Sequence, residues 1–244
     1  MPLLFDFLRI PEALTAPDLR TLAFFGVRAA ALSVTATADA AQLAERELTR
    51  LRQADIAAFL CFAPSAGHLP GGALETELQR LPRLLSLPRA VALGPLALDV
   101  REPAATYVLQ RVLEIGRDLQ RPVLVQSRAA ADGKEVRRLL ALIRESAIPP
   151  PCILGLGLPR AALLLFRECG HAVALTLSRG MTGPELVDTV SRFGSDRVLL
   201  ASAGGDFLGV PKAVALLEEA GLPSSVQRRV AFENALRLLG IEDL

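Results

Sequence analysis

The stretch Pro122-Val123-Leu124-Val125-Gln126 is a short hydrophobic run of the kind that forms a buried parallel strand. After a loop it is followed by Val136, Leu139, Leu140 and Ile143, which recur at positions i, i+3, i+4 and i+7. This spacing places the four side chains on one face of a helix. The strand, the loop and the amphipathic helix therefore form one βα unit, in which the helix covers a face of the strand.

The same unit recurs along the chain. Further hydrophobic runs alternate with helix-period stretches, and they lie at Leu3–Leu8, Ala29–Val34, Ala57–Phe62, Ala90–Leu93, Cys152–Gly155, Ala172–Leu177 and Arg197–Ala201. Thr182-Gly183-Pro184-Glu185 reads as the start of a helix, with a capping residue before a proline in the first turn. Eight such units without a long linker predict an α/β fold, a (β/α)8 barrel in one domain over residues 1–244. A doubly wound open sheet with an extra strand is the alternative.

Composition narrows the classes of function. Hydrophobic residues make up 51% of the chain and charged residues 22%, which allows a large buried core. The formal net charge is +1 and the basic residues form no stripe, so we expect no nucleic-acid partner. No apolar run is long enough to span a membrane, and we expect no membrane association.

The compartment is predicted from two further features. The first residues are apolar but include Asp6 and Arg9 and lack a basic leader, so a signal peptide is not expected. Cys61, Cys152 and Cys169 share no CxxC spacing, and we expect buried free thiols in a reducing compartment. Both features indicate a cytoplasmic protein.

Short motifs stand at the predicted strand ends, where a barrel holds its reacting groups. They are Asp6-Phe7-Leu8-Arg9-Ile10, Cys61-Phe62-Ala63-Pro64, Gly94-Pro95-Leu96-Ala97-Leu98-Asp99, Pro122-Val123-Leu124-Val125-Gln126-Ser127-Arg128 and Leu199-Leu200-Ala201-Ser202-Ala203-Gly204-Gly205. In order and spacing the chain resembles the TatD-like metal-dependent hydrolases of the amidohydrolase group. The resemblance implies the same barrel, with a site at the strand ends where one or two divalent metals activate water.

The chain departs from this family at the metal ligands. Leu8, Ile10, Ala63, Gln126 and Gly155 stand where the family has histidines, Pro95 where it has a bridging glutamate, and Ala203 where it has a metal-binding aspartate. Hydrocarbon side chains have no lone pair to donate, an amide oxygen binds transition metals poorly, and a catalytic metal needs about three protein ligands. The chain has only two histidines, His68 and His171, and His171 precedes strand seven at the opposite end of the barrel. We therefore predict no metal, no cofactor and no metal-dependent catalytic residues.

Polar residues and glycines that remain near the strand ends are the candidate ligand-binding residues. They are Asp99, Gln126, Arg128, Arg179, Ser202, Gly204, Gly205 and His68. Glycine-rich loops after strands seven and eight are where barrels commonly bind phosphate, and Arg179 would add a positive charge. The structural alternatives are an ion pair of Arg128 with Asp99 or Asp6, a solvated His68, and glycines that only form tight turns.

These features predict a catalytically inactive TatD-like barrel that acts as a binding, scaffold or regulatory protein. Its partner would be a small anionic ligand at the emptied barrel mouth, or another protein. The alternative function is a metal-independent enzyme or a phosphate-ligand-binding protein that uses the loops after strands seven and eight. The sequence does not specify an oligomeric state.

Overall fold

A computed structural model describes residues 3–9, 15–65, 71–97, 102–126, 133–158, 163, 166–176, 181–201 and 209–244. The strands are β1 Leu4–Arg9, β2 Val27–Thr35, β3 Ala57–Ala63, β4 Ala90–Ala97, β5 Val123–Gln126, β6 Ile153–Leu156, β7 Ala172–Thr176 and β8 Val198–Ala201. They form one sheet in chain order, and β1 also packs against β8. The predicted (β/α)8 barrel is confirmed, and all eight predicted strands are present.

Helices alternate with the strands because each amphipathic stretch buries its apolar face. They are α1 Ala16–Phe24, α2 Ala40–Gln53, α3 Gly71–Leu85, α4 Pro103–Asp118, α5 Gly133–Glu145, α6 Gly183–Phe193, α7 Gly209–Ala220, α8 Ser224–Arg228 and α9 Asn234–Leu238, with a π-helical turn at Arg229–Glu233 between the last two. The predicted helix start at Thr182 is confirmed, since Thr182 is the N-cap of α6. Among the described residues, no helix has the length and apolar composition needed to cross a membrane.

The chain groups into two compact units. The first contains the described residues of Met1–Leu32, Glu45–Phe59 and Ala174–Leu244, and its core includes the buried side chains of Phe5, Leu51 and Phe232. The second contains those of Ser33–Ala44 and Leu60–Val173, and its core includes Phe62, Leu109, Leu124, Ile143 and Phe166. The assignment of residues 1–244 to one domain stays a prediction.

Strand β4 is longer than the sequence predicts. It was expected to end at Leu93, but it continues to Ala97. Leu93 pairs with Val123 and Leu96 pairs with Val125, so two residues, Gly94 and Pro95, stand opposite the single residue between those partners on β5. This two-against-one count is a β-bulge, which lets a Gly-Pro pair remain inside a strand that it would otherwise end.

The C-terminal segment is anchored to the chain that enters β8. Asn234 is 1% exposed, and its Nδ2 donates hydrogen bonds to the carbonyl oxygens of Ser195 (2.7 Å) and Val198 (2.8 Å). Arg229 donates to the Ser195 hydroxyl (2.7 Å), and Arg237 donates to the carbonyl of Asp196. These contacts attach the last helices to the start of the strand.

Replacing Asn234 with alanine should lower the free energy of unfolding by about 2 kcal/mol, because two carbonyl oxygens lose their donor in a buried site. Arg237→Ala is the matched control on the same helix: it also removes a hydrogen bond to a backbone carbonyl, but at an exposed position where water can replace the donor, and we expect a change of at most about 0.5 kcal/mol. Urea unfolding of both variants measures the difference. Equal effects would show that the Asn234 hydrogen bonds do not contribute specifically.

The N-terminal end of helix α6 packs against the C-terminal end of helix α7. A Cβ built on Gly183, the first residue of α6, would lie 2.9 Å from both the nitrogen of Ala220 and the carbonyl carbon of Glu219. Residues 219 and 220 form the end of α7. The first turn of α6 therefore packs on the backbone of the last turn of α7, and only glycine allows this distance.

Candidate functional site

The inner face of β5 can be identified from its contacts with α4. A Cβ built on Gly116 of α4 would lie 2.4 Å from Cγ2 of Val123, so Val123 faces this helix. Leu93, the register partner of Val123, lies on the same side, with its Cδ1 3.6 Å from that Cβ position. Because side chains alternate along a strand, Leu124 and Gln126 point to the other face, away from α4. We call this the inner face.

The last residues of three adjacent strands form one row on the inner face. Ala97 ends β4, Gln126 ends β5 and Leu156 ends β6, and the register pairs Ala97 with Gln126 and Gln126 with Leu156. Paired residues of parallel strands share a face, so all three side chains point inward. We call these residues the strand-end row. The row lies at the edge where barrels hold their reacting groups, and it contains one amide and two hydrocarbon side chains.

The row corrects one sequence-based assignment. Gly155 was predicted to take the place of a ligand histidine on strand six, but it pairs with Val125, which alternates with Gln126 and faces outward. A Cβ on Gly155 would lie 2.5 Å from Leu158 and 3.0 Å from Phe166. Gly155 is therefore turned away from the inner face, and Leu156 holds the last inward position of β6.

Two other positions where the family has metal ligands, Ala63 and Pro95, lie on β3 and β4. Phe62 pairs with the outward-facing Leu93, so its neighbours Cys61 and Ala63 point inward. Ala63 ends β3 and is 7% exposed. Pro95 lies inside β4, at the bulge, rather than at the strand end where the sequence placed it. Cys61 is a core residue as predicted, and burial raises the pKa of its thiol to about 12, which keeps it uncharged at neutral pH.

Gln126 is the candidate site residue that the structure describes. Its side chain is partly exposed, and the amide has no hydrogen-bond partner within the described part of the chain. An amide group can donate two hydrogen bonds and accept at its oxygen. Gln126 therefore brings one amide group to the strand-end row.

The other candidates lie outside the described residues. They are His68, Asp99, Arg128, Arg179, Ser202, Gly204 and Gly205, together with Ile10, Ala203 and the side chain of Leu8. The proposed ion pair of Asp99 with Arg128 and the phosphate loops after strands seven and eight therefore stay predictions.

Metal-binding side chains do not converge in the described residues. No group of three or more His, Cys, Asp or Glu side chains is placed to hold a metal ion within residues 3–9, 15–65, 71–97, 102–126, 133–158, 163, 166–176, 181–201 and 209–244. Two of the buried carboxylates there are engaged in other contacts: Glu47 pairs with Arg46 and Arg50, and Glu77 accepts hydrogen bonds from Ser65.

Asp6, the one acidic residue that the chain keeps from the family's first motif, lines a small cavity. It is 2% exposed and its Oδ1 accepts a hydrogen bond from the Phe7 backbone N–H at 2.9 Å. The cavity is bounded by Leu4, Phe5, Asp6, Val27, Leu200, Ala201, Val210 and Ala213. It has room for about one water molecule, so it is too small for an organic ligand.

Sequence reasoning missed two polar contacts. Glu77 of α3 accepts hydrogen bonds from the backbone N–H (2.6 Å) and hydroxyl (2.8 Å) of Ser65, which follows β3 closely. His171 is buried, its Nδ1 accepts from the Ile153 N–H at 3.3 Å, and burial lowers its pKa from 6.5 to about 4. The partners are 12 and 18 residues apart, and no local pattern signals such pairs.

The first turn of α6 is relevant to the alternative hypothesis that the loops after strands seven and eight bind a phosphate. Glu185 accepts hydrogen bonds from the backbone N–H (3.0 Å) and the hydroxyl (3.3 Å) of Thr182. The carboxylate places a negative charge at the helix N-terminus, where a phosphate would otherwise be stabilised. This end of α6 is therefore a poor anion site.

No protein-family model matches the chain, and no curated protein matches it. Solved structures do. A TatD-like protein from Archaeoglobus fulgidus superposes with a TM-score of 0.74 at 19% identity, over 97% of this chain and 99% of the other. The likeness is one of fold. The phosphotriesterase homology protein of Escherichia coli, solved with phosphate in its active site, gives a TM-score of 0.71 at 14% identity, over 97% of each chain.

A β-aspartyl dipeptidase from Fervidobacterium islandicum, in complex with a β-Asp-Leu dipeptide, gives a TM-score of 0.68 at 14% identity. That match covers 98% of this chain and 74% of the dipeptidase. The chain therefore shares its fold with a TatD-like protein, a phosphotriesterase homology protein and a β-aspartyl dipeptidase. At such low identities the chemistry has to be argued from this chain's own strand ends.

Proposed function

We propose that this chain is a TatD-like barrel that has lost metal-dependent hydrolysis and acts by binding. The observation that supports the proposal is the strand-end row, in which Ala97, Gln126 and Leu156 offer one amide and no imidazole or carboxylate. Water activation needs a metal held by about three such ligands. A row without such ligands supports binding, rather than metal-dependent hydrolysis, as the function of this end of the barrel.

The occupant proposed from sequence was a small anion or a partner protein. The anion depends on Arg128, Arg179 and the loop residues Ser202, Gly204 and Gly205, which the structure does not describe. Glu185 argues against a phosphate at the start of α6. The phosphate-binding or metal-independent enzyme is therefore the weaker of the two proposals.

The proposal is tested by metal content and chelator-sensitive hydrolysis. The chain is purified without a histidine tag, exposed to zinc and to manganese in separate samples, desalted and analysed by mass spectrometry of the metals. We expect far less than one metal ion per chain and no hydrolysis of p-nitrophenyl phosphate above the buffer rate. A stoichiometric metal, with hydrolysis that a chelator abolishes and the metal restores, would overturn the proposal.

A further inference from the structure

Two aromatic side chains reach solvent where α1 ends. Phe24 is the last residue of α1 and is 72% exposed, and Phe25 follows as the C-cap and is partly exposed. Their rings contact edge to face, with centroids 5.5 Å apart. Leu3, which is also exposed, lies close by, because the N–H of Leu4 donates to the carbonyl of Gly26 (2.9 Å). Adjacent exposed apolar side chains, unlike single ones, mark a contact surface.

An exposed ion pair lies at the same end of the first unit. Arg28 is the second residue of β2, which begins directly after the turn that follows α1, and its guanidinium lies 3.6 Å from the carboxylate of Asp55. The two side chains are 45% and 94% exposed, so water screens their attraction and each can still bind a second group of opposite charge. We call five side chains of the first unit the α1-end patch: Leu3, Phe24, Phe25, Arg28 and Asp55.

The charges of the α1-end patch indicate what covers it. An anionic membrane surface or an acidic protein would be repelled by Asp55, and a basic protein would be repelled by Arg28. A matching surface has to carry one base and one acid in the reverse order. A second copy of this patch, related by a twofold axis, has this order: Arg28 faces Asp55 of the partner subunit, and Asp55 faces Arg28 of the partner subunit. The ion pairs set the orientation, and burial of the aromatic rings supplies affinity.

We propose that the α1-end patch joins two copies of this chain in a weak, twofold-symmetric homodimer. The patch is small compared with the roughly 20–30 residues that each side of a stable interface contributes, so the association is reversible. It lies at the N-terminal ends of β1, β2 and β3, whereas barrels hold their reacting groups at the C-terminal ends of the strands. The inference therefore does not depend on the proposed function.

The test is sedimentation equilibrium of the full chain at neutral pH, over protein concentrations from micromolar to millimolar. We expect a reversible monomer–dimer equilibrium without larger species, because a twofold contact is closed. Phe24→Ser should raise the dissociation constant of the dimer at least about 30-fold, the loss typical of an aromatic residue at the centre of an interface. Tyr107→Ser is the matched control: Tyr107 is an exposed aromatic residue of α4 in the second unit, and its removal should leave the dimer unchanged.

Charge reversal tests the pairing across the twofold axis. Arg28→Asp and Asp55→Arg should each weaken the homodimer about tenfold or more, because like charges then face each other. In an equimolar mixture the new acid of one variant faces the new base of the other, so a heterodimer of about the wild-type affinity should form. Arginine is tolerated at the left-handed φ of Asp55 (60°), since Arg89 adopts the same conformation (65°). Circular dichroism confirms that each variant is folded.

A chain that stays monomeric at every concentration would overturn the homodimer and leave the α1-end patch to a different protein. Species larger than a dimer, equal effects of Phe24→Ser and Tyr107→Ser, or a mixture of the two charge variants that stays monomeric would also overturn it. None of these outcomes depends on metal content or hydrolysis. Failure of the homodimer is therefore distinguishable from failure of the proposed function.

Discussion

Replacing Gly94 with alanine is expected to lower the free energy of unfolding by about 3–5 kcal/mol. The added methyl group would lie 2.3 Å from the carbonyl oxygen of Leu124, and that oxygen belongs to the backbone of a central strand, which cannot move aside without disturbing the sheet. The φ angle of +102° at Gly94 is also one that residues with a Cβ rarely adopt. Urea unfolding at neutral pH measures the loss.

Gly72→Ala is the matched control for this substitution. Gly72 lies in the first turn of α3, and a Cβ built on it meets nothing within 4 Å. Alanine is a better helix former, so the change should be neutral or stabilising by up to about 1 kcal/mol. Similar unfolding energies for the two variants would show that the bulge on β4 does not have the tight geometry described.

Stability should fall by about 3 kcal/mol as the pH drops from about 6.5 to about 4, because His171 resists protonation in the folded protein. Burial lowers its pKa from 6.5 to about 4. Between these values the unfolded chain binds a proton that the folded chain does not bind, so acid favours unfolding. A proton on Nδ1 would also face the Ile153 N–H, placing two donors against each other.

The variant His171→Asn isolates this effect. Its Oδ1 can accept from the Ile153 N–H in place of Nδ1, and its amide does not titrate. Between pH 7.5 and pH 4 the unfolding energy of the wild type should fall by about 3 kcal/mol relative to that of the variant, because carboxylate titrations are common to both. Parallel curves would contradict a buried neutral His171.

The strands could be predicted because a short hydrophobic run between two amphipathic stretches is too short for a helix and most readily forms a buried strand. β5 illustrates this: its predicted span, Pro122–Gln126, differs from the observed Val123–Gln126 by one residue. β4 was predicted too short because Gly94-Pro95 ends most strands, and a bulge depends on the partner strand, which the local sequence does not contain.

The direction of side chains at the strand ends was harder to predict. Strands that are buried on both faces have no alternation of polar and apolar residues, so their sequence does not reveal which residues point inward. Gly155 was matched to a ligand histidine on strand six without knowledge of the face it occupies, and its register with Val125 of β5 shows that it points outward. The contact of His171 with Ile153 was not predictable either, since it depends on the tertiary fold.

The first unit brings together segments from the start and the end of this sequence, and this has a consequence for folding during synthesis on the ribosome. β1 packs against β8 and the π-helical turn, whose residues are made more than 180 positions later in the chain. A nascent polypeptide therefore exposes one flank of its first strand until nearly all of this sequence has been translated, while the second unit, mostly contiguous from Leu60 to Val173, can assemble earlier. The nascent chain should therefore depend on chaperones mainly after the second unit has assembled and before β8 and the π-helical turn have been translated.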